Sequence, residues 1–241
     1  MSDYTAVITG GSQGIGADLA QAMLDRGWRV ISIARHQGEA THERLDHIQA
    51  DLMDPQATAQ AAQDIAARHR VTHFIHNAGI ILPNLVEDAR PEDLQALTQL
   101  HLGAALTLTQ AFLPAMKEAR FGRILFNASR AALGAKTRTA YSASKAGMIG
   151  MARTWALELA PHGITVNVIA PGPVLTDNFW GIIPKDSPQQ ADLAARLPVG
   201  RLGTPEDITH AFMFFADPKA GFITGQTLYV CGGASIGGVP I

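Results

Sequence analysis

The length and composition of the chain favour a folded α/β protein with a sizeable core. Of its 241 residues, 47% are hydrophobic and only 17% are charged, which excludes intrinsic disorder. The formal net charge of -2, from 19 basic and 21 acidic residues, comes without the basic stripe that nucleic-acid binding requires.

Short apolar runs alternate with stretches of helical periodicity along the chain. Strands that alternate with helices indicate a single doubly wound parallel sheet, because right-handed crossovers place helices on both of its faces. No linker or repeat divides the sequence, so we expect one α/β domain over residues 1–241. The apolar runs predict strands at residues 4–9, 28–34, up to about 50, 71–76, 123–127, 164–169 and 227–230. The helical patterns predict helices from about 14 to 27, 55–68, about 91–117, 141–160 and from about 205.

The segment from 173 to 198 shows no clear strand or helix pattern. Four prolines interrupt it, and its apolar side chains include Phe179 and Trp180. Long irregular segments in compact domains are often lids or binding loops, so we expect a substrate loop here. The alternative is a surface excursion whose aromatic side chains only anchor it to the core.

A glycine-rich turn follows the first predicted strand. Residues 9 to 16 read Thr-Gly-Gly-Ser-Gln-Gly-Ile-Gly, and the next helix is predicted to begin near Gly14. Glycines permit a tight turn and a close approach of the backbone to a pyrophosphate, whose charge the free N–H groups and the helix dipole attract. The Gly-x3-Gly-x-Gly spacing differs from the common dinucleotide fingerprint, and any tight strand-to-helix connection also favours glycine.

Three polar residues later in the chain are suited to proton transfer. Tyr141 and Lys145 lie one turn apart on a predicted helix, and Ser129 lies at the end of a predicted strand. A nearby ammonium favours the phenolate, so we expect Lys145 to lower the pKa of Tyr141 from its usual value of about 10. Ser129 is expected at the carboxyl edge of the sheet, where ligands bind, with its hydroxyl available to hold a substrate oxygen.

These motifs, in this order, resemble the short-chain dehydrogenase/reductases in their single-domain, Rossmann-like form. The resemblance implies an enzyme that moves a hydride between a nicotinamide and a carbonyl or secondary alcohol. It rests on the glycine-rich turn and on Ser129, Tyr141 and Lys145. It extends to Asp51-Leu52, Asn77-Ala78-Gly79, the run from Asn167 to Gly172, Thr176, and Ile223-Thr224-Gly225-Gln226.

The resemblance also implies a role for each matching residue. Tyr141 corresponds to the general acid or base, Lys145 to the residue that binds the ribose hydroxyls, and Ser129 to the one that orients the substrate oxygen. Helix capping by Asp51 and a turn at Thr176 are the structural alternatives. Besides Tyr141 and Lys145, the implied cofactor contacts are Gly10, Ser12, Gln13, Gly14, Ile15, Gly16, Asp51 at the adenine, Leu52, Asn77 beside the central strand, Ala78, Gly79, Pro171, Gly172, and Val174 and Thr176 at the carboxamide.

His101 departs from the family pattern, which has an asparagine as the fourth catalytic residue at this position. The family's asparagine acts largely through a helix kink whose main-chain carbonyl holds a relay water, and a histidine can keep that structural role. The alternative is that its imidazole joins the proton relay directly, since the reference pKa of histidine is near 6.5. A second departure, Cys231 where relatives often have aspartate, carries no functional assignment.

The end of the second predicted strand indicates the cofactor. The chain reads Ile33-Ala34-Arg35-His36, with no acid to hydrogen-bond a ribose 2′-hydroxyl. The planar cation of Arg35 is suited to a 2′-phosphate. We therefore predict a preference for NADP(H), with NAD(H) as the alternative if Arg35 points to solvent.

The sequence constrains the substrate less than the cofactor. Arg130 follows Ser129 and is expected either to pair with a substrate carboxylate or to form a structural salt bridge, while Phe179 and Trp180 are candidates to cover an apolar body. We predict a simple ketone or hydroxy compound. A 3-oxoacyl-carrier-protein reductase is the alternative, although Lys136 and Arg138 are the one evident basic cluster for an acidic carrier. A cofactor-binding regulator without turnover is a third hypothesis.

The remaining expectations concern compartment and partners. The single cysteine excludes an internal disulfide, which favours a reducing, cytoplasmic compartment. No apolar run reaches the roughly 18 residues of a membrane span, and the start lacks the blocks of a signal peptide. The nine histidines are scattered, so no metal site is predicted. Long apolar helices predict a homo-oligomer, and the family resemblance implies a dimer or tetramer.

Overall fold

A seven-stranded parallel sheet forms the centre of the computed structural model, which describes residues 4–236. Among these residues, no helix combines the length and the apolar character needed to cross a membrane. The strands are β1 (Thr5–Thr9), β2 (Arg29–Ala34), β3 (Leu45–Gln49), β4 (His73–His76), β5 (Gly122–Asn127), β6 (Ile164–Pro171) and β7 (Thr227–Val230). The helices are α1 (Gly14–Asp25), α2 (Pro55–Arg68), α3 (Pro91–Thr98), α4 (Ala104–Ala119), α5 (Thr139–Leu159), α6 (Asp177–Trp180), α7 (Pro188–Arg196) and α8 (Pro205–Ala216).

The order of the strands across the sheet determines where a ligand can bind. The order is β3-β2-β1-β4-β5-β6-β7, and all neighbouring strands are parallel. The direction in which strands are added reverses between β1 and β4, and such a reversal leaves a crevice beyond the carboxyl ends of the strands. The predicted doubly wound, Rossmann-like sheet is confirmed.

Apolar side chains on both faces of the sheet hold the helices in place. On one face α2, α4 and α5 pack through side chains such as Ile65, Phe112 and Met148. On the other face α1 and α8 pack through side chains such as Met23 and Phe212. Every residue of β4, β5 and β6 is buried, as expected for strands that helices cover on both sides. The carboxyl ends of these strands are therefore rigid supports for side chains.

The single helix predicted at 91–117 is divided by a π-helical turn. Between α3 and α4, residues Gln99–Gly103 adopt the wider π geometry. His76 on β4 donates a hydrogen bond of 3.0 Å from Nε2 to the carbonyl of Leu100, which gives a carbonyl of this turn a partner outside the helix. Single π turns inside helices frequently mark functional sites. The apolar periodicity continues through the turn, and the sequence pattern therefore predicts one continuous helix.

The segment from 173 to 198, predicted to be irregular, contains the two short helices α6 and α7. The Thr176 side chain accepts a hydrogen bond from the backbone N–H of Phe179 and caps α6. The Ser187 side chain caps α7 in the same way, and Pro188 takes the first helical position, where a missing N–H costs nothing. Pro188 therefore begins a helix, although the four prolines of this segment suggested that they interrupt regular structure.

Candidate active site

A cleft of about 1160 Å³ opens at the carboxyl ends of the central strands. Small-molecule pockets usually hold roughly 300–1,000 Å³, so the cleft has room for a dinucleotide together with a substrate. The structure brings most of the predicted site residues to its wall: Gly10, Ser12, Gln13, Gly14, Ile15, Arg35, Asp51, Leu52, Asn77, Ala78, Gly79, Ser129, Arg130, Tyr141, Lys145, Pro171, Gly172, Val174, Thr176 and Phe179. Three predicted residues lie outside the wall: Gly16, His101 and Trp180.

The glycine-rich turn leaves no room for a side chain at Gly10 or at Gly16. Gly10 has a φ of +66°, and a Cβ there would lie 3.0 Å from the Cα of Ala78. A Cβ at Gly16 would collide with the carbonyl of Gly10, so Gly16 contributes by close packing behind the turn. The Gln13 side chain does not cap α1, so the N–H groups of the first turn remain available to an anion. This cradle fits the pyrophosphate of a dinucleotide.

The side-chain amide of Asn77 ties the glycine-rich turn to the sheet. Its Nδ2 donates to the carbonyls of Thr9 and Gly10 at 3.1 and 3.0 Å, and its Oδ1 accepts from Nδ2 of Asn127 at 2.8 Å. The Thr9 hydroxyl accepts from the backbone N–H groups of Asn77 and Ala78 and contacts Nδ1 of His76 at 3.1 Å. One amide therefore fixes the ends of β1, β4 and β5 relative to one another.

Thr9, Asn127 and Ser144 are residues of the site that the sequence analysis did not assign. Thr9 and Asn127 are the last residues of β1 and β5, and a polar residue that ends a buried apolar run is the signal that identifies them. Ser144 lies between Tyr141 and Lys145 on α5 and is buried. Its contact with His101 depends on the π turn, which the sequence pattern does not reveal.

Ser129, Tyr141 and Lys145 all line the cleft. Ser129 follows β5, and its hydroxyl accepts from the N–H of Ala131 at 3.1 Å, which caps a short 3-10 turn. Lys145 lies one turn after Tyr141 on α5, with Nζ 5.6 Å from the centroid of the tyrosine ring. The Lys145 ammonium donates to the carbonyl of Asn127 at 2.6 Å. The end of β5 thus positions both the serine and the lysine.

The expected lowering of the Tyr141 pKa is not found. Burial raises the pKa of Tyr141 above its ordinary value of 10.0, and the neighbouring Ser129 hydroxyl and the charge of Arg138 oppose that shift without cancelling it. Burial also lowers the pKa of Lys145 from 10.5 to about 7. Desolvation penalises the charged form of both groups, whereas the spacing of Tyr141 and Lys145 along a helix indicates only the attraction of an ammonium for a phenolate.

His101 lies in the π turn, fully buried behind the cleft wall. The Ser144 hydroxyl donates to the carbonyl of Tyr141 at 3.0 Å, so it accepts from Nδ1 of His101 at 2.8 Å. This hydrogen bond fixes the proton on Nδ1 and leaves Nε2 as an acceptor, which has no hydrogen-bond partner within residues 4–236. Burial, together with the charge of Lys145, holds the pKa of His101 far below its ordinary value.

His101 and Lys145 face the same side of Gly79. A Cβ at Gly79 would lie 2.9 Å from Nε2 of His101 and 3.3 Å from Nζ of Lys145. The absence of a side chain at Gly79 keeps the space between the two nitrogens open. His101 does not line the cleft, but its Nε2 lies near Lys145 and its ring centroid lies 5.8 Å from that of Tyr141.

One side of the cleft is apolar, but Trp180 does not contribute to it. Phe179, Ile182, Ile183 and Leu193 line the cleft from the segment that contains α6 and α7. The indole of Trp180 lies elsewhere, with the Lys185 ammonium 5.1 Å from the centroid of its ring. On the short helix α6, successive side chains point in different directions, which is why only one of the two aromatic residues faces the cleft.

The two residues predicted to contact the adenosine end, Arg35 and Asp51, both line the cleft. Arg35 is exposed at the end of β2, and its guanidinium forms no hydrogen bond or ion pair with the part of the chain that the structure describes. Asp51 accepts from the N–H of Met53 at 3.0 Å, and the cap of α2 is Asp54. The alternative reading of Asp51 as a helix cap is therefore wrong, whereas Thr176 does cap α6.

The chain is similar to known dehydrogenases and reductases. The family model described as enoyl-(acyl carrier protein) reductase matches residues 10–235. The chain is 36% identical to (2S)-[(R)-hydroxy(phenyl)methyl]succinyl-CoA dehydrogenase subunit BbsD of Thauera aromatica, over 98% of both chains. It is 35% identical to the 3-oxoacyl-[acyl-carrier-protein] reductase FabG of Escherichia coli K12, over 95% of this chain and 96% of the other.

A solved structure from Beutenbergia cavernae is also similar. It is described as an NAD(P)-dependent gluconate 5-dehydrogenase with bound NADP at low occupancy. The TM-score is 0.88 at 33% sequence identity, and the match covers 95% of this chain and 96% of that chain. The similarity therefore extends over nearly the whole length of both proteins.

The burial of Lys145 predicts a pH-dependent stability. Between about pH 7 and pH 10.5 the unfolded chain binds more protons at this lysine than the folded protein does, so Lys145 makes the free energy of unfolding rise with pH in that window. We expect Lys145→Met to remove this contribution, which amounts to as much as about 1.4 kcal/mol per pH unit. Urea unfolding of both proteins at about pH 7 and about pH 9 measures it.

Lys117→Met is the matched control, because Lys117 is exposed near the end of α4. Its stability should change with pH as that of the wild type does. An equal pH dependence in the wild type and Lys145→Met would show that Lys145 keeps an ordinary pKa in the folded protein.

Proposed function

Because the chain belongs to the short-chain dehydrogenase/reductase family, we propose that it transfers a hydride between NADP(H) and a ketone or secondary alcohol, with Tyr141 as the proton donor or acceptor. Membership establishes an NAD(P)-dependent oxidoreductase that acts on CH–OH or C=O groups. The observation that carries the finer proposal is the meeting of Ser129, Tyr141 and Lys145 in the cleft that the glycine-rich turn borders.

The residues present fit a nicotinamide dinucleotide. The glycine-rich turn, with the free N–H groups of α1, would hold the pyrophosphate, and Lys145 would reach the ribose hydroxyls. Val174 and Thr176 line the cleft and would bind the carboxamide, as the family resemblance implies. When bound, the nicotinamide supplies or accepts the hydride.

Tyr141 and Ser129 act on the oxygen of the substrate. The raised pKa of Tyr141 keeps the phenol protonated at neutral pH, which suits it to give its proton to a carbonyl oxygen that is being reduced. Ser129 holds that oxygen through its hydroxyl. Lys145, whose pKa burial lowers to about 7, is able both to give and to take a proton near neutral pH and so to restore the tyrosine.

His101 acts as a positioning residue for Lys145. Its Nε2 lone pair, fixed by the hydrogen bond from Nδ1 to Ser144, faces the ammonium across Gly79. An acceptor in this place stabilises the charged form of Lys145, either directly or through one water molecule. His101 itself stays neutral because it is buried beside that cation.

Arg35 supports the preference for NADP(H). It lies at the end of β2 on the cleft wall, and its guanidinium is free of internal partners within residues 4–236. Ala34 precedes it where an acid would select for the ribose 2′-hydroxyl of NAD(H). The NADP in the structure from Beutenbergia cavernae is consistent with this preference.

A 3-oxoacyl-thioester reductase is the second candidate. Its support is the 35% identity to FabG of Escherichia coli and the thioester in the name of the Thauera aromatica relative. Lys136 and Arg138 line the cleft and offer positive charge to a carrier. Rates with acetoacetyl-CoA against rates with small ketones separate the two candidates.

Tyr141→Phe tests the proton transfer. We expect kcat to fall by about 10²–10⁴-fold, because the variant lacks the hydroxyl proton, while NADPH affinity stays within about twofold. The measurement is NADPH oxidation with an active ketone, together with a fluorescence titration of NADPH. Tyr229→Phe, on β7 away from the cleft, is the control and should keep full activity. Full activity in Tyr141→Phe would exclude the role given to this residue.

Arg35→Asp tests the cofactor preference. We expect the KM for NADPH to rise roughly 10–100-fold, because the 2′-phosphate loses a charge-assisted partner and meets a like charge, while the KM for NADH stays the same or falls. Arg26→Asp, an exposed arginine outside the cleft, serves as the control. An unchanged preference in Arg35→Asp would show that another group selects the cofactor.

His101→Leu tests the positioning role. We expect kcat to fall roughly 10-fold at unchanged KM, and the alkaline limb of the kcat profile to move to lower pH, because Lys145 loses an acceptor that favours its charged form. The imidazole of His101 also lies near Tyr141 and His76, so the same pH profile is recorded for His76→Asn. His101→Asn, which retains an acceptor, should restore both kcat and the profile. A loss of activity with an unmoved profile would indicate a purely structural residue.

A further inference from the structure

The segment from 129 to 141 brings three cations to the substrate end of the cleft. Arg130, Lys136 and Arg138 all line the cleft, between Ser129 and Tyr141 in the sequence. The cleft is also lined by Glu39 and Asp51, which follow β2 and β3 in the chain, and by Arg35 at the end of β2. Besides the three cations, α6 contributes one carboxylate, Asp177, to the substrate end.

Arg130 is half-buried and has no internal counterion. It begins the 3-10 turn that Ser129 caps, and its guanidinium forms no hydrogen bond or ion pair with any residue of the described range 4–236. This finding excludes, for that range, the structural salt bridge that the sequence left open. A guanidinium offers five donors in a planar fork, so Arg130 is available to an anionic group in the cleft.

Arg138 is held at the cleft by a strained neighbour. Thr137 has a φ of +65°, which is unfavourable for a β-branched residue. Nη1 of Arg138 donates to the Thr137 hydroxyl at 2.6 Å, which fixes the guanidinium beside the chain while other N–H groups remain available. The charge of Arg138 acts on Tyr141, so the arginine lies near enough to influence groups at the reacting centre.

The apolar residues of the cleft lining offer a different chemistry. Phe179, Ile182, Ile183 and Leu193 present hydrocarbon to the cleft, and Ile80 and Ile81 also line it. A ligand that pairs with the cations and also contacts the apolar residues is amphipathic, with an anionic group and an apolar body in one molecule.

We propose that the substrate is a keto or hydroxy carboxylic acid whose carboxylate binds Arg130, with Arg138 and Lys136 adding positive charge around it. The inference rests on the proposed oxidoreductase function and adds the class of substrate. The flat carboxylate matches the fork of Arg130 in a bidentate pair. The pair holds the molecule so that its carbonyl reaches Ser129 and Tyr141, while the hydrocarbon part contacts the wall around Phe179.

Matched pairs of acid and ester test this inference. The probes are 3-oxobutanoate, 4-oxopentanoate and 5-oxohexanoate, each beside its methyl ester, with NADPH as the reductant. We expect at least one acid to exceed its ester by about 10-fold or more in kcat/KM, because charge-assisted hydrogen bonds favour the carboxylate. Arg130→Gln should then lower kcat/KM for that acid by roughly 10–100-fold, mainly through KM, and leave the ester within about twofold.

Control variants separate substrate binding from folding. Arg26→Gln, at an exposed position outside the cleft, should leave both acid and ester unchanged. Arg130→Lys should recover part of the preference, since an ammonium keeps the charge but not the fork. Equal rates for acid and ester in the wild type, or an equal loss for both in Arg130→Gln, would overturn the inference while the oxidoreductase function stands. A preference for acetoacetyl-CoA over every free acid would overturn it as well, and would assign the cations to the phosphates of a carrier.

A binding measurement keeps the inference testable without turnover. Calorimetric titration of the same acids and esters into protein loaded with NADP⁺ should show binding of an acid that Arg130→Gln loses. No binding of any acid would overturn the inference. Failure of the proposed function would appear differently, as an absence of NADPH oxidation with every ketone and ester despite intact binding of the acid.

Discussion

The amide of Asn77 is the constraint on which the rest of the site depends. Its three hydrogen bonds link the turn after β1, the end of β4 and the end of β5, so the cradle for a pyrophosphate and the support for Lys145 share one rigid frame. A side-chain amide is suited to this position because it donates and accepts at the same time. Loss of either half would leave buried carbonyl or amide groups without partners, at a cost of about 1–3 kcal/mol each.

Burial of the titratable side chains around this frame determines their protonation states. Lys145 enters the low-dielectric interior to reach the carbonyl of Asn127, and its pKa falls to about 7 as a result. The same burial raises the pKa of Tyr141 and keeps His76 and His101 neutral. The free protein is thus poised with a protonated tyrosine and a lysine that titrates near neutral pH. These states favour proton donation to a carbonyl oxygen.

The order of elements and most of the cleft were predictable from the sequence, because both depend on local signals. Helix α2 has the predicted bounds, and the polar residues that end buried strands meet at one edge of the sheet as parallel pairing requires. Glycines at 10 and 14 adopt positive φ where the turn needs it. Hydrophobic periodicity and the polar residues at strand ends are local patterns, so a few residues of sequence are enough to predict these features.

The features that the sequence did not reveal depend on contacts distant in the chain. In the π turn, the carbonyl of Leu100 accepts a hydrogen bond from His76, which lies 24 residues earlier in the chain. The hydrogen bond between His101 and Ser144 joins residues that are 43 positions apart. The side of α6 that faces the cleft, and hence the exclusion of Trp180, is set by tertiary packing. The direction of the Tyr141 pKa shift depends on how much solvent the fold removes, a quantity that spacing along a helix does not contain.

A titration of the purified protein with NADPH and NADH, followed by absorbance of the reduced nicotinamide in the presence of ketones, β-keto esters and cyclic diketones, tests the central claim most directly. We predict selective binding of NADPH and its oxidation by at least one of these carbonyl compounds. If neither NADPH nor NADH binds, the account is contradicted. The fit of the glycine-rich turn and the Asn77 frame to a dinucleotide is the basis of every functional assignment made for this cleft.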